Sequence, residues 1–220
     1  MNIAIDGPAG AGKSTIARLT AKELGFVYVD TGAMYRAIAL YLLDNKVDID
    51  NEAELKDALN NIHINIVYES GVQHVFLDLV DVSEEIRSEK VGNMASTSSA
   101  LAPVREKLLD LQRDIAAKND VIMDGRDIGT NILPDAELKI YLTASVDVRA
   151  KRRYDELILK GENPNLEDIK KGIETRDYQD MNRDIAPLKQ ADDAVYIDSS
   201  DMKIAEVVDK IVKLAKNKNQ

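Results

Sequence analysis

The sequence contains no cysteine, no tryptophan, and only two histidines and two phenylalanines among its 220 residues. Without cysteine, disulfides and thiolate metal sites are excluded, and two scattered histidines argue against a zinc centre. Any metal is therefore expected to be a hard cation held by oxygen. No apolar run approaches the roughly 20 residues of a membrane span. The first strand is predicted to begin at Asn2, where a signal peptide would lie, so we expect a cytoplasmic protein that does not associate with membranes.

Positive charge is also in short supply. The formal net charge is −10, which argues against binding of nucleic acid, because that needs a basic face able to displace counterions. Aromatic residues make up 5% of the chain, which argues against a platform for stacking single-stranded bases. With 45% hydrophobic and 31% charged residues, the chain is expected to form one globular domain with a sizeable core.

A glycine-rich motif near the N-terminus is the most specific feature of the chain. It matches the phosphate-binding pattern G-x-x-x-x-G-K-[ST] at every fixed position, through Gly7, Pro8, Ala9, Gly10, Ala11, Gly12, Lys13 and Ser14, followed by Thr15. Glycine lets successive backbone N–H groups approach a polyanion without a Cβ in the way. Lys13 is predicted to reach the β- and γ-phosphates of a nucleotide, and Ser14 to ligate Mg²⁺ at the start of a helix. The alternative, a glycine-rich turn beside an exposed lysine, is disfavoured by the strand predicted directly before the motif.

Hydrophobic patterning predicts strands and helices in alternation. Short apolar runs, several of them rich in β-branched residues, predict five strands, at 2–6, 26–29, 121–124, 138–142 and 194–198. Helical periodicity between them predicts an α/β fold with an open doubly wound five-stranded parallel sheet. In such a sheet the ligand crevice lies at the carboxyl ends of the strands. Strand-like runs at 63–69 and 72–82, around a turn at 70–71, predict one hairpin.

The predicted domain is single and covers 1–220. Its core comprises 1–59, 91–145 and 184–220, and the hairpin belongs to an antiparallel lobe inserted at about 60–90. Two polar, charged helices are predicted at 146–160 and 166–181, joined by an Asn- and Pro-containing link. Because an exposed helix pair of this kind is typical of a lid, we predict a helical lid at about 146–183.

Polar residues gather where the predicted strands end. The carboxyl ends of the strands carry Asp30, Asp124 and Asp198, in addition to the glycine-rich loop. A carboxylate at Asp124 can hold Mg²⁺ directly or through water. The alternative for Asp124 is that it caps the following turn.

Arginines cluster on the two predicted lid helices, at 149, 152, 153, 176 and 183. Like charges on one helix face cost stability, so either acidic neighbours such as Asp155 and Glu156 or a bound phosphate must compensate. Phosphoryl transfer needs cations around the equatorial oxygens, which favours the phosphate interpretation.

One motif points to a different function. The tetrapeptide at Asn45–Asp48 satisfies N-K-x-D, the guanine-reading element of GTPases, and together with the glycine-rich loop it suggests a GTP switch. In GTPases that element follows a late strand of the sheet, whereas here it trails the second predicted helix. We therefore interpret it as a helix C-terminus and turn.

Taken together, the motifs resemble those of the nucleoside monophosphate kinases, a family of P-loop kinases. The resemblance is carried by the loop, the T-G-x-x-x-R pattern at 31–36, the Asp-Gly strand end at 124–125 and the arginine-bearing lid. Three longer motifs resemble those of bacterial cytidylate kinases: D-T-G-A-M-Y-R at 30–36, D-G-R-D-I-G-T at 124–130, and N-R before A-P-L at 182–188. Adenylate kinases carry Asp-Gly-Phe-Pro-Arg at the third strand, so the Arg-Asp pair at 126–127 points toward cytosine.

This resemblance implies ATP-dependent phosphorylation of CMP and dCMP in pyrimidine nucleotide metabolism, with Mg²⁺ as cofactor. It implies CMP contacts at Thr31, Arg36, Ser96, Arg105, Arg126, Asp127, Asp180 and Arg183. The arginines at 36, 105 and 126 suit the phosphate of CMP. Ser96 and Asp127 suit the cytosine, and Asp180 and Arg183 suit the sugar.

The resemblance also implies the residues that act on the transferring phosphoryl. They are Lys13, Arg126, Arg149, Arg153 and Arg176, with the choice among Arg149, Arg152 and Arg153 left open. ATP is expected at 7–15, and Mg²⁺ at Ser14 and Asp124. We expect a monomer. Two alternatives stay open, a P-loop kinase for another small acceptor, such as a different nucleotide, a sugar or a shikimate-like acid, and a non-catalytic GTP switch.

Overall fold

The computed structural model describes residues 1–69 and 71–218 of the chain. Within them the strands are β1 (Asn2–Asp6), β2 (Val27–Asp30), β3 (Ile64–Glu69), β4 (Val72–Leu77), β5 (Val80–Asp81), β6 (Val121–Gly125), β7 (Leu138–Thr143) and β8 (Val195–Asp198). The helices are α1 (Lys13–Leu24), α2 (Thr31–Asp44), α3 (Glu52–Asn61), α4 (Glu89–Ser98), α5 (Ala102–Lys118), α6 (Val146–Leu159), α7 (Leu166–Asn182) and α8 (Ile204–Lys218). A 3₁₀ turn occurs at Glu85–Arg87 and a π-helical turn at Ile128–Ile132.

A five-stranded parallel sheet forms the centre of the molecule, in the order β2-β6-β1-β7-β8. The α/β fold with five parallel strands is therefore confirmed. Strand β1 lies between β6 and β7, and Ile5 pairs in register with Asp124. This pairing places the start of the glycine-rich loop beside the polar end of β6, at the carboxyl edge of the sheet.

The sheet is covered on both faces because its strands alternate apolar side chains between two cores. Ile3, Ile5 and Ile122 face one way and pack with α1 and α8. Ala4 and Met123 face the other way and pack with α2, α3 and α5. All five side chains are fully buried. Burying an Ile or Met side chain contributes about 1.5–3 kcal/mol, so both faces stabilise the fold.

A separate antiparallel sheet in the order β3-β4-β5 forms the predicted hairpin region. The run at 72–82, predicted as one strand, is divided between β4 and β5 by a turn in which Asp78 has a φ of 53°. Aspartate tolerates this left-handed conformation better than most residues. Residue 70, on which the predicted hairpin turn partly falls, lies outside the described residues.

The side chain of Gln73 connects the antiparallel sheet to the parallel sheet. The carboxamide of Gln73, on β4, accepts a hydrogen bond from the Asp30 backbone N–H at 2.9 Å and donates one to the Asp30 carbonyl at 3.2 Å. Asp30 ends β2, the edge strand of the parallel sheet. Its side chain accepts a hydrogen bond from Ala33 N–H at 2.9 Å and so caps α2, which begins at Thr31.

Helix α4 has no counterpart among the predicted elements. Gly, Asn, Ser and Thr in its sequence are weak helix formers, which hides it from periodicity. It forms because Ser88 caps its first turn and because Val91 and Ala95 pack in a cluster with Ala33 and Ala37 of α2. No helix in the described part of the chain combines the length and apolar character that a bilayer crossing requires.

Candidate active site

A cavity of about 550 Å³ opens at the carboxyl ends of the parallel strands. The loop and first turn of α1, at 9–16, line one side. Nine arginines from other elements also line it, namely Arg36, Arg87, Arg105, Arg126, Arg149, Arg152, Arg153, Arg176 and Arg183. In a chain with a net charge of −10, this concentration of cations marks a site for a polyanion.

The glycine-rich loop adopts a backbone that requires glycine. Gly7 has a φ of 150°, and a Cβ there would lie 1.9 Å from the carbonyl oxygen of Leu142. Gly10 and Gly12 have φ values of 76° and 88°, in the left-handed region that glycine favours. The loop therefore lies tightly against β7 before it turns into α1.

Lys13 projects from the start of α1 into the protein. Its side chain is buried, and Nζ donates a hydrogen bond to the carbonyl oxygen of Pro8 at 2.8 Å. Burial, reinforced by the nearby Arg126, lowers the pKa of Lys13 to about 7, although Asp124 opposes the shift. A phosphate at this position would give the ammonium group a charged partner in place of a carbonyl.

Ser14 and Asp124 form a pair of oxygen donors at the mouth of the loop. Ser14 Oγ donates to Asp124 Oδ2 at 2.9 Å, and the hydroxyl of Tyr28 donates to Oδ1 at 2.9 Å. Burial, with the neighbouring charge of Asp30, raises the pKa of Asp124 to about 6. A divalent cation beside this carboxylate would favour its ionised form.

Thr31 and Arg36 lie on α2, facing the cavity from the other side. Thr31 Oγ1 donates to the carbonyl oxygen of Asp124 at 2.7 Å, so the hydroxyl ties α2 to the end of β6. Arg36 Nη1 donates to the carbonyl of Ile86 at 3.2 Å. A Cβ on Gly92 would lie 2.9 Å from Arg36 Nη1, so α4 leaves room for the guanidinium only because it carries glycine there.

Asp127 is the centre of a buried ionic cluster. Its Oδ2 accepts a hydrogen bond from Arg105, and its Oδ1 accepts one from Arg183 Nη2 at 3.2 Å. Asn131 Nδ2 donates to Oδ2 at 3.1 Å, and the guanidinium of Arg105 lies over the ring of Tyr35, 5.6 Å from its centroid. The structure thus places Arg105 with Asp127 and Arg183. Arg36, by contrast, is influenced by the charges of other residues, Asp30, Arg87, Arg153 and Arg126.

Arg126, Arg176 and Asp180 form a second group. Arg126 Nε donates to Asp180 Oδ2 at 2.7 Å. Burial alone would raise the pKa of Asp180, but the charges of Arg126 and Arg176 hold it below its ordinary value. Burial, with repulsion from Arg126, lowers the pKa of Arg176 to about 10, and its buried Nε has no hydrogen-bond partner among the described residues. Arg176 is therefore a cation without a full set of acceptors.

The predicted lid arginines differ in their surroundings. Arg149 is buried and donates to the carbonyl of Ala144 at 2.9 Å, to the carbonyl of Ala9 in the loop at 2.9 Å and to Asp177 Oδ2 at 2.6 Å. Arg153 is partly exposed and pairs with Glu156 on its own helix at 2.8 Å. In this conformation Arg149 links the loop to α7, whereas the Arg153 guanidinium is held only by a surface ion pair.

The remaining lid arginine, Arg152, donates to the carbonyl of Ser199 at 2.9 Å, beyond β8. Ser199 lines the cavity, whereas the preceding Asp198, predicted to face it, is exposed and accepts hydrogen bonds from Ser200. The strand end therefore contributes a different residue from the one predicted.

The cavity brings together almost all of the residues singled out from the sequence. Those lining it are Ala9, Gly10, Ala11, Gly12, Lys13, Ser14, Thr15, Thr31, Arg36, Ser96, Arg105, Asp124, Arg126, Asp127, Arg149, Arg153, Arg176, Asp180 and Arg183. Gly7 and Pro8 lie outside the lining. Arg87, Met202 and Val207 also line the cavity. The sequence carries no signal for them, because Arg87 is an ordinary exposed arginine, Met202 lies in the segment that precedes α8, and Val207 is an ordinary helix residue.

The N-K-x-D tetrapeptide lies away from the cavity. Asn45 follows α2 and its Nδ2 donates to the carbonyl of Tyr41 at 2.9 Å, while Lys46 turns the chain with a φ of 53°. Neither these residues nor Asp48 line the cavity. The tetrapeptide is therefore a helix C-terminus and turn, as its position in the sequence indicates.

The parallel sheet, the glycine-rich loop and the facing arginines define the class of P-loop kinases. A family model described as cytidylate kinase matches residues 3–217. The chain belongs to the cytidylate kinase family. A protein named cytidylate kinase from Lactobacillus johnsonii is 49% identical over 220 residues, covering 100% of this chain and 96% of that protein. One of the same name from Leuconostoc mesenteroides is 50% identical over 215 residues, covering 98% and 96%.

A solved structure shares the fold at much lower identity. Shikimate kinase from Acinetobacter baumannii, in complex with shikimate, is similar with a TM-score of 0.50 and 15% identity, covering 98% of this chain and 93% of that one. At this identity the likeness establishes the fold alone.

Proposed function

We propose that this protein transfers the γ-phosphoryl group of ATP to CMP or dCMP, giving ADP and the corresponding nucleoside diphosphate. The observation that carries the proposal is that Lys13, Arg36 and Arg176 line one cavity without an ion-pair partner among the described residues. Lys13 is buried and the two arginines are partly buried. Cations that are withdrawn from water without counterions are costly unless an anion binds between them. Membership of the cytidylate kinase family identifies that anion as the phosphates of two nucleotides.

The donor nucleotide occupies the side of the cavity formed by the loop. Backbone N–H groups at 9–15 and the ammonium of Lys13 hold its β- and γ-phosphates. Met202, just before α8, and Ile204 and Val207, in its first turn, provide an apolar surface on this side that suits the adenine ring. Gly7 and Pro8 belong to the loop on the side away from the cavity, and a direct contact of these two residues with ATP stays a prediction.

The donor set at the loop fits Mg²⁺ bound together with ATP. Ser14 and Asp124 offer two oxygens 2.9 Å apart, and the described residues contain no cluster of three or more acidic, His or Cys side chains that would hold a metal alone. A magnesium ion typically takes one or two protein oxygens and completes its shell with phosphates and water. When bound, it would neutralise charge that develops between the β- and γ-phosphates.

The acceptor nucleotide occupies the opposite side. Its phosphate lies among Arg36, Arg126 and Arg176. The positive charges of these arginines repel one another, and a bound anion would remove that repulsion. Ser96, Asp127 and Arg105 recognise the cytosine, and Asp180 and Arg183 contact the sugar. Arg105 is assigned to the base end, and not to the phosphate as the resemblance implies, since its guanidinium pairs with Asp127.

Catalysis then consists of positioning and charge neutralisation. The acceptor is a phosphate oxygen that is already anionic, so no general base is needed to activate it. Its oxygen forms a bond to the γ-phosphorus as the bond to the β-bridging oxygen breaks, and the electron pair leaves with ADP. The charge on the transferring group is stabilised by Lys13, Arg126, Arg149, Arg153 and Arg176.

Two further expectations follow from this function. Helices α6 and α7 act as a lid at about 146–183 that excludes water, while the antiparallel lobe at about 60–90 flanks the acceptor side. The protein acts as a monomer, since one chain supplies all of the residues described above, and it works in the cytoplasm, where both nucleotides are supplied.

A panel of acceptors tests the proposal directly. Purified protein is incubated with Mg²⁺-ATP and CMP, dCMP, UMP or AMP, and ADP formation is measured. Turnover with CMP or dCMP is expected to exceed turnover with UMP and AMP. A preference for UMP or AMP, or for shikimate added to the same panel, would overturn the assignment of the acceptor, and tighter binding of GTP than ATP would favour a GTP switch.

A further inference from the structure

Asp6 connects the glycine-rich loop, on the donor side of the cavity, with the turn after Asp127, on the acceptor side. Its own side chain does not line the cavity. It is the last residue of β1 and stands directly before Gly7, the first residue of the glycine-rich loop. The side chain is buried, with 5% of its surface exposed. Its Oδ1 accepts the backbone N–H of Ile128 and its Oδ2 accepts the backbone N–H of Gly129, both at 2.8 Å.

These two peptide groups belong to the turn that presents Asp127. The turn leaves β6 and closes through hydrogen bonds from the N–H groups of Asn131 and Ile132 to the Asp127 carbonyl, at 2.9 and 3.2 Å. The N–H groups of Ile128 and Gly129, directly after Asp127, have no backbone carbonyl in the turn as an acceptor. The Asp6 carboxylate accepts both. Each oxygen of the Asp6 carboxylate accepts one hydrogen bond, and the two bonds together fix both the position and the orientation of the turn relative to β1.

The turn fits against Asp6 because it contains glycine. A Cβ on Gly129 would lie 3.1 Å from Lys139 Cδ and 3.4 Å from Asp6 Oδ2. The peptide is therefore enclosed between β1 and the side chain of Lys139 on β7, whose Nζ is held by Asp193. This close fit leaves the turn little freedom to shift towards or away from the sheet.

We propose that Asp6 is a positioning residue for acceptor recognition, which acts through the turn at 127–129 to aim the Asp127 carboxylate and its bound arginines at the nucleobase. The inference rests on the proposed function. It deepens it by separating two roles at the end of β1, where Gly7 shapes the donor loop and the residue before it sets the acceptor side. Asp6 contacts no substrate, so its effect must appear in the binding of one nucleotide and not the other.

The test is the substitution Asp6→Asn with steady-state kinetics in both substrates. Asparagine keeps the shape but has one acceptor oxygen, and its amide nitrogen faces the second N–H group, so one hydrogen bond is lost and a donor is left unpaired. The KM for CMP is expected to rise about tenfold or more, as for loss of a hydrogen bond to a charged group. The KM for ATP is expected to stay within about twofold, because the loop keeps its own contacts.

Two further variants make the result decisive. Asp48→Asn is the control, since Asp48 also accepts a backbone N–H, from Asp50 at 3.0 Å, but lies outside both the cavity and the antiparallel lobe. It should leave both KM values unchanged. Gly129→Ala disturbs the same contact from the turn, and is expected to raise the KM for CMP selectively. If Asp6→Asn does not fold, Gly129→Ala decides alone.

The outcomes separate this inference from the proposed function. Wild-type protein that does not phosphorylate CMP overturns both. Wild-type protein that does, with a KM for CMP in Asp6→Asn and Gly129→Ala within twofold of normal, overturns the positioning role alone. An equal rise in KM for CMP and ATP also overturns it, because that result describes a general loss of structure.

Discussion

The ammonium group of Lys13 shows how a single residue is prepared for its ligand. Its environment already lowers its pKa to about 7, and a loop carbonyl is its hydrogen-bond acceptor. A neutral carbonyl is a weaker partner than a phosphate oxygen, so exchange of one for the other strengthens the interaction. The binding of nucleotide therefore relieves an unfavourable environment instead of creating a contact from solvent.

Replacement of this lysine tests its role. In Lys13→Ala, kcat with ATP and CMP is expected to fall about 10²–10³-fold, the usual loss when one group that stabilises transition-state charge is removed. The free energy of unfolding should change little, since a buried charge is removed together with its single carbonyl contact. Lys22→Ala, an exposed lysine on the same helix, is the control and should retain normal kcat. Near-normal turnover in Lys13→Ala would contradict the proposed mechanism.

Asp6 makes stability depend on pH in a direction opposite to that of most acidic side chains. Burial raises its pKa from 3.8 to about 6, against the opposing effect of the two backbone hydrogen bonds. Asp127 adds to the increase, Lys13 counteracts it, and Lys139 lies on the far side of Gly129. Between pH 4 and 6 the folded state therefore holds a proton that the unfolded state has released.

The free energy of unfolding of the wild type should consequently fall, relative to Asp6→Asn, as pH rises from about 4 to about 6, by up to about 3 kcal/mol. The difference should become constant above the folded-state pKa. Urea unfolding of both proteins at several pH values measures it, and other titrating groups, such as Asp124, cancel in the comparison. A pH-independent difference would mean that the pKa of Asp6 is not raised.

Residues whose role is local were predictable from the sequence, and residues that act across the fold were not. Lys13 and Ser14 follow from the spacing of one short motif. Asp6 accepts hydrogen bonds from Ile128 and Gly129, which lie 122 and 123 positions further along the chain, and no pattern in the sequence indicates this contact. The family resemblance implies a phosphate contact for Arg105, but it does not reveal the ion pair of this residue with Asp127, because a sequence motif locates an arginine without identifying its partner.

At the level of elements, the link between β1 and α1 depends on a glycine that no other residue can replace. A Cβ on Gly7 would overlap the Leu142 carbonyl oxygen at 1.9 Å, and its φ of 150° is rare for other residues. Gly172, in the middle of α7, has no atom within 4 Å of its ideal Cβ position. The two glycines therefore predict opposite effects for one substitution.

Gly7→Ala is expected to destabilise the protein by roughly 3 kcal/mol or more, because strain and overlap must both be relieved. Gly172→Ala should instead stabilise it by about 1 kcal/mol, since alanine is the better helix former. Both values come from urea unfolding. A stable Gly7→Ala protein would show that the loop can move away from β7, and equal effects of the two substitutions would remove the distinction between them.

Elements were predictable where side-chain chemistry repeats with a clear period. The bounds predicted for the five parallel strands agree with the structure to within one residue, because the apolar runs are bounded by polar turns. The failures have physical causes. Helix α4 is built from small and polar residues and is held by its packing on α2. The run at 72–82 stays strand-like throughout, and only the left-handed Asp78 divides it.

At the scale of the whole molecule, the cavity brings together arginines from separate elements, and their positive charges repel one another. Arg36, Arg126, Arg153 and Arg176 come from α2, the end of β6, and the two lid helices, and their charges act on one another. Arg149 already ties α6 to the loop and to Asp177 on α7. Nucleotide phosphates between these arginines would convert repulsion into attraction and draw α6 and α7 onto the site.

Amide hydrogen exchange measures this closure. With CMP and a non-hydrolysable ATP analogue bound together, exchange in α6 and α7 is expected to slow by about tenfold or more, equivalent to about 1.4 kcal/mol of added local stability. Either nucleotide alone should give a smaller effect, because each supplies only part of the phosphate charge that the arginines need.

Helix α3 is the internal reference for this measurement. It has no residue in the cavity, and packs against α5 on the far side of the parallel sheet from α1. Its exchange should therefore be the same in the free and bound protein. Equal exchange of α6 and α7 with and without both nucleotides would contradict lid closure, while equal slowing in α3 and the lid helices would show general stabilisation by ligand and not a movement of one part.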